Sequence, residues 1–105
     1  MQKKLTATLH AHWFNEILQG RKKIEYREQT DYWAKRLLNS DGSPRHYDTV
    51  LFRNGYAASA PVMVVEYCGL TISDDYEIHL GRILQKTNIE NLNPKAIERS
   101  KREYA

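Results

Sequence analysis

The chain has 105 residues, with 16 Lys and Arg against 13 Asp and Glu for a net charge of +3, and 41% of its residues are hydrophobic. That is enough for one modest core, which excludes an enzyme with a separate cofactor domain, and the longest apolar run, residues 61–65, is far below the roughly 20 residues a bilayer span needs. The N-terminus leads into alternation rather than an apolar signal core, and the lone Cys68 forms neither an internal disulfide nor a cysteine metal cluster, so a soluble, cytoplasmic protein in a reducing compartment is expected.

Leu5, Ala7 and Leu9 alternate with Thr6, Thr8 and His10, the period of a strand with one face in the core. From Ala11 the period becomes helical: Trp13, Phe14, Ile17 and Leu18 share one face, and Gly20 stops the helix because it adopts the left-handed backbone a C-cap needs. Residues 23–28 alternate again, with Lys23, Glu25 and Arg27 on one side and Ile24, Tyr26 and Glu28 on the other. Thr30 or Asp31 caps a short helix over residues 32–38, whose inner side carries Trp33 and Leu37. Residues 39–44 are a loop by their Asn, Ser, Gly and Pro content. A third strand covers residues 49–54, and Gly55 opens a loop of small residues. Residues 61–72 form a long central strand bent near Gly69, and a fifth strand follows from Tyr76 with a break at Gly81. Five strands with two early helices predict an α+β fold, a small mixed β-barrel with helices covering its ends. From Lys86 the composition shifts to Asn, Lys, Arg and Glu. The expected division is therefore a domain of residues 1–85 and a charged tail of residues 86–105, whose Asn93 and Pro94 start a weakly docked helix.

The segment from Gly20 to Arg27 carries the chemistry. Its spacing is G-x-K-x-x-E-x-R: a cation at the turn after a helix, then a carboxylate and a guanidinium two apart on one strand face. Facing the interior or mouth of a small barrel, an unpaired charge costs several kcal/mol. Glu25 therefore either pairs with a Lys or Arg across the sheet or serves a ligand.

This segment resembles the signature of the ASCH domain, a relative of the PUA domain of RNA-modifying enzymes, with Gly20, Lys22, Glu25 and Arg27 in the four signature positions. The order of elements around it is similar as well, and the likeness covers residues 4–84. The resemblance implies a PUA-like β-barrel with a cleft between barrel and helices, lined by the signature residues and binding RNA or a nucleotide. Some members look like ribonucleases. One small bacterial branch is an amidohydrolase that removes the acetyl group from N4-acetylcytidine with a Lys, a Thr three residues later and a later Glu. Here Lys22 matches the Lys, Glu25 stands in place of the Thr, and Glu66 on the central strand is the candidate third member.

Arg53, Asn54 and Tyr56 around Gly55 suit nucleotide recognition, with Arg on phosphate, Asn on a base edge and Tyr stacking, or they are an ordinary strand end. Tyr32 and Trp33 precede Lys35 and Arg36, the same interleaving of aromatic and basic residues; Trp33 reads as a core residue of the covering helix before a nucleotide-binding ring, and Arg36 as a cleft candidate. His10, His12, His46 and His79 lack the spacing of a zinc site, so no metal or cofactor is expected. His79 is a packing histidine unless it faces the cleft. Ser59 has no histidine and acid at a nucleophile spacing. Lys95, Arg99 and Arg102 lie on a solvated tail helix or along a phosphate backbone.

The first functional expectation is binding of RNA or a modified nucleoside, with Lys22 and Arg27 on phosphate or a base oxygen and Glu25 on a base amino group. The second is a metal-independent hydrolase, either amidohydrolase or ribonuclease, in which Glu25 is the general base and Lys22 stabilises an oxyanion. The third is a protein-interaction module, which requires Glu25 to be paired internally with no open cleft beside it.

Overall fold

The computed structural model describes residues 3–104. The chain runs β1 (Lys4–Thr8), α1 (Ala11–Leu18), β2 (Ile24–Arg27), α2 (Asp31–Leu37), β3 (Thr49–Arg53), β4 (Val62–Ile72), β5 (Tyr76–Thr87), a 3-10 turn (Ile89–Asn91) and α3 (Pro94–Tyr104). The strands form one sheet in the order β1-β3-β4-β5-β2, in which only β1 and β3 are parallel. The sheet curls into a half-barrel, so the fold is the expected α+β with a small barrel-like sheet and few helices.

Alternation decides which face is buried. Leu5 and Ala7, Val50 and Phe52, Met63, Val65 and Tyr67, and Tyr76, Ile78 and Leu80 all point into the core, where Phe14 and Ile17 of α1 and Leu37 of α2 meet them. Phe14, Phe52, Leu37, Met63 and Ile78 are fully buried, each contributing about 1.5–3 kcal/mol relative to exposure. Because β1 and β2 are the two edges of a curled sheet, both border its open side. Arg27 of β2 crosses that gap, donating from Nη2 to the Thr8 carbonyl of β1 at 3.1 Å.

Near Gly69, where a bend is expected, Gly69 takes φ +120° and the register against β5 shifts between Tyr67 and Leu70. The break expected at Gly81 is instead a bulge in a continuous β5. Val65 pairs with Ile83 and Tyr67 with Leu80, so β5 carries an extra residue there, and extra residues increase local twist and bend a strand. A Cβ on Gly81 would lie 2.8 Å from Glu66 Oε1, 2.9 Å from Cys68 Sγ and 2.9 Å from Glu66 Cβ. The glycine is needed for that close approach, and the strand does not end at it.

The charged tail grows directly out of the sheet, since β5 reaches Thr87, and α3 returns to pack on α1. Ser100 is buried there. Its Oγ accepts from the His12 backbone N–H at 2.8 Å and donates to the Ala96 carbonyl at 2.9 Å. His10 at the N-cap of α1 makes no side-chain cap bond, so the tail helix supplies the missing acceptor. Among the described residues, no helix is long and apolar enough to cross a membrane.

Candidate functional site

The site begins at the C-terminus of α1. Gly20 takes φ +80°, its N–H donating to the Ile17 carbonyl, and the next two N–H groups, of Arg21 and Lys22, both donate to the Glu16 carbonyl at 3.0 and 3.1 Å. This closure satisfies the last carbonyls of the helix and reverses the chain along it. Lys22 therefore lies beside Trp13, its Nζ 4.5 Å from the indole centroid and 5.1 Å from the Tyr26 ring.

β2 then pairs with β5, with Glu25 opposite Ile78. Period two turns Glu25 inward and leaves Tyr26 exposed. Arg27 Nε donates to Glu25 Oε2 at 2.8 Å and Arg27 Nη2 lies 2.7 Å from the same oxygen. The other oxygen, Oε1, faces Lys22 Nζ at 3.4 Å, longer than a good hydrogen bond, and so keeps acceptor capacity. The Arg27 guanidinium stacks 4.7 Å from the centroid of Trp33. Trp33 is held on the first turn of α2, where Thr30 Oγ1 accepts from its N–H at 3.3 Å.

These residues wall a cavity of about 990 Å³ on the open side of the half-barrel, with Trp13 and Lys22 at one end, Arg27 and Trp33 at the other and Glu25 between. Two cations on one carboxylate leave a positive excess in a partly desolvated place, and the indole faces offset part of that cost through cation–π attraction. On the rim, the hydrogen bond from Arg21 holds the Glu16 carboxyl below its ordinary range.

Lys22, Glu25 and Arg27 thus converge, and Glu25 is bonded to local cations rather than across the sheet, with an open cavity beside it. Arg53 and Tyr56 line a second cavity, of about 780 Å³, which shares Arg27 and Trp33 with the first. Arg53 donates to the carbonyls of Gly55 at 3.2 Å and Ala57 at 2.9 Å. Asn54 lines neither cavity, since its Nδ2 donates to the Leu9 carbonyl at 3.0 Å and ties the strand end to the start of α1.

Glu66 is not brought to the site. With Met63, Val65 and Tyr67 facing the core, residue 66 falls on the outer face of β4. There its Oε1 accepts from the Arg82 backbone N–H at 2.8 Å and from Arg82 Nε at 3.2 Å, bonds that lower its carboxyl pKa. His79 also faces outward, bonded to Thr71 Oγ1 at 2.7 Å. Among the described residues, no group of His, Cys, Asp or Glu is placed to hold a metal ion.

Trp13 is the site residue that sequence reasoning places only in the core. Its helical face packs against the core, yet its ring also forms a cavity wall because the chain reverses at Gly20. Trp33 has the same double role. No family model, curated protein or solved structure matches this chain.

Proposed function

We propose that the chain is an ASCH-type, PUA-like domain that binds one unpaired base of RNA, or a modified nucleoside, in the cavity between Trp13 and Trp33. The observation that carries this reading is the pair of Lys22 Nζ and Glu25 Oε1, a donor and an unsaturated acceptor 3.4 Å apart. The Watson–Crick edge of each base sets a hydrogen-bond acceptor beside an N–H donor, so Lys22 would donate to a ring nitrogen or carbonyl while Glu25 accepts from the neighbouring N–H. Aromatic side chains are the usual partners of an unstacked base, and the cavity's volume of about 990 Å³ is at the upper end of small-ligand sites, roughly 300–1,000 Å³. The lone Cys68 fits a reducing, cytoplasmic setting.

Titration of cytidine and short single-stranded RNA at low salt, followed by tryptophan fluorescence, tests the reading. Quenching is expected in the wild type, with about tenfold or greater weakening in Lys22→Ala and Arg27→Ala, the loss expected for one charge-assisted hydrogen bond. No detectable binding of either probe overturns it.

The same open Oε1 also favours a second reading, hydrolysis. Glu25 would take a proton from water as its oxygen bonds to the acyl carbon, and Lys22 would stabilise the oxyanion. On breaking of the C–N bond Glu25 would return the proton to the leaving amine, releasing acetate and cytidine with no metal required. Incubation with N4-acetylcytidine and with labelled RNA, comparing wild type with Glu25→Gln, separates the two: absence of turnover of both substrates leaves binding alone.

A further inference from the structure

The second cavity differs from the first in its charge. Arg27, Arg36 and Arg53 line it, and among the described residues no Asp or Glu does, whereas Glu16, Glu25 and Glu28 line the first. Each guanidinium is fixed in place by the fold. Arg27 is held by Glu25 and the Thr8 carbonyl. Arg36 Nη1 donates to the Tyr32 carbonyl at 3.0 Å, and its Cζ lies 3.4 Å from the Tyr32 ring centroid. Arg53 is held by the carbonyls of Gly55 and Ala57. Each of these bonds uses part of a set of five N–H donors, so donors remain for an incoming anion. At the edge of the same cavity Tyr56 is 85% exposed.

Three preset guanidiniums, of which only Arg27 is paired with a carboxylate, Glu25, outside this cavity's lining, fit phosphate oxygens, which Arg recognises with parallel N–H donors. The two cavities share Arg27 and Trp33, so a base in the first and its own backbone phosphate in the second would occupy adjoining spaces. An exposed tyrosine beyond the phosphate is placed for the next base to stack on. We infer that the Arg27–Arg36–Arg53 cavity is a second subsite for the phosphodiester and adjoining base of an RNA strand, so that the ligand is an oligonucleotide segment and not a free nucleoside. This rests on the base-binding reading of the first cavity and adds Arg36, Arg53 and Tyr56 to it as strand-binding residues.

The test compares cytidine with the RNA tetranucleotide of cytidine, by tryptophan fluorescence over a range of salt. The tetranucleotide is expected to bind at least about tenfold more tightly, with a salt slope steeper by about 0.7 for each phosphate engaged. Arg36→Ala combined with Arg53→Ala should remove most of that advantage and the added salt slope, the loss falling on the tetranucleotide rather than on cytidine. Arg53 also holds its loop, so Tyr56→Ala serves as an independent variant at an exposed position; about a tenfold loss for the tetranucleotide is expected from one base stack. Equal affinity for the two probes, or an advantage that survives these variants, overturns the second subsite and leaves base binding standing. If neither probe binds, both readings fall.

Discussion

Glu25 and Glu66 are both strand carboxylates bonded to an arginine, and they sit in opposite surroundings. The Glu25 side chain is 7% exposed, on the inner side of edge strand β2, with Lys22 and Arg27 around it. The Glu66 side chain is 36% exposed on the outer face of β4, and its partner Arg82 is 82% exposed. An exposed pair gains little, because water and salt screen it. A buried group of three ions has a large desolvation cost to recover, and here the carboxylate, the Thr8 carbonyl and the two indole faces recover part of it. The residue opposite Glu25 in the sheet is the fully buried Ile78, so an apolar side chain would suit the position if packing were all it served. Identical pair chemistry thus acts as a bracket on one face of the sheet, and on the other it supports the reading of a ligand site.

The widest separation between the two is expected on deletion. Glu25→Ala leaves Lys22 and Arg27 facing each other across the cavity and should lower stability by roughly 2–4 kcal/mol in urea unfolding. That is somewhat less than the ~3–5 kcal/mol typical when a buried pair is broken, because water can enter the open cavity. Glu25→Gln keeps the volume and should lose less stability, and on the proposed base-binding reading it should still weaken cytidine binding through the missing charge. If Glu25→Ala unfolds no more readily than the wild type, the burial argument for the cluster is wrong.

The next largest effect belongs to the outer face and comes from crowding rather than charge. Gly81→Ala brings a methyl to 2.8 Å from Glu66 Oε1 and 2.9 Å from Glu66 Cβ and Cys68 Sγ, so the Glu66 and Cys68 side chains must shift at the bulge. A loss of about 1–3 kcal/mol is expected, with cytidine affinity unchanged. An undiminished unfolding midpoint would mean that the bulge relaxes without cost.

Much of this division is legible in the sequence. Period-two alternation places Glu25 and Arg27 on one face, and the G-x-K-x-x-E-x-R spacing places a lysine at the preceding turn. Whether a pair of charges one strand-step apart will bond to each other or to a distant strand depends on how far the side chains reach, which spacing does not encode. Glu66 is misplaced by sequence reasoning because a long β-branched strand gives no sign of which parity faces inward. Only the register against β3 and β5 fixes that. The role of Trp13 depends on a chain reversal at Gly20, and the role of Ser100 on an 88-residue return from the tail, neither of which leaves a local pattern. The break read at Gly81 is the usual ambiguity of a glycine in a strand, which marks a bulge as readily as an end.

A buried hydroxyl sharpens the contrast from the side of an unmet need. Tyr67 faces the core beside Tyr47, and its hydroxyl has no hydrogen-bond partner among the described residues. Burial, with a smaller push from Tyr47, raises its phenol to about 12 from 10.0. With the folded value above the unfolded one, the unfolded chain loses this proton first as pH rises. This group therefore leaves stability independent of pH below about 10 and lowers it progressively as pH rises from about 10 to 12. Tyr67→Phe should unfold about 1 kcal/mol less readily at neutral pH, since it removes an unsatisfied hydroxyl, and its stability should decline less steeply across that alkaline window. A Phe variant with the wild-type alkaline profile would show that Tyr67 does not titrate with unfolding.

The smallest expected effect is the most direct control on the opening contrast. Glu66→Ala removes a carboxylate that accepts two bonds from Arg82, but both partners stand in water, and the freed N–H and guanidinium can be hydrated where they are. The carboxyl is held below its ordinary pKa, with the backbone N–H of Arg82 as the main cause and its side chain as the second. Any contribution to stability is present above the unfolded pKa and fades as pH falls through the folded one. At neutral pH and moderate salt, Glu66→Ala should leave both the unfolding midpoint and cytidine affinity within error of the wild type. Loss of binding in this variant would mean that the outer face of β4 reaches the ligand after all. Loss of stability comparable to Glu25→Ala would mean that pairing with arginine, and not burial, sets the worth of a strand carboxylate in this fold.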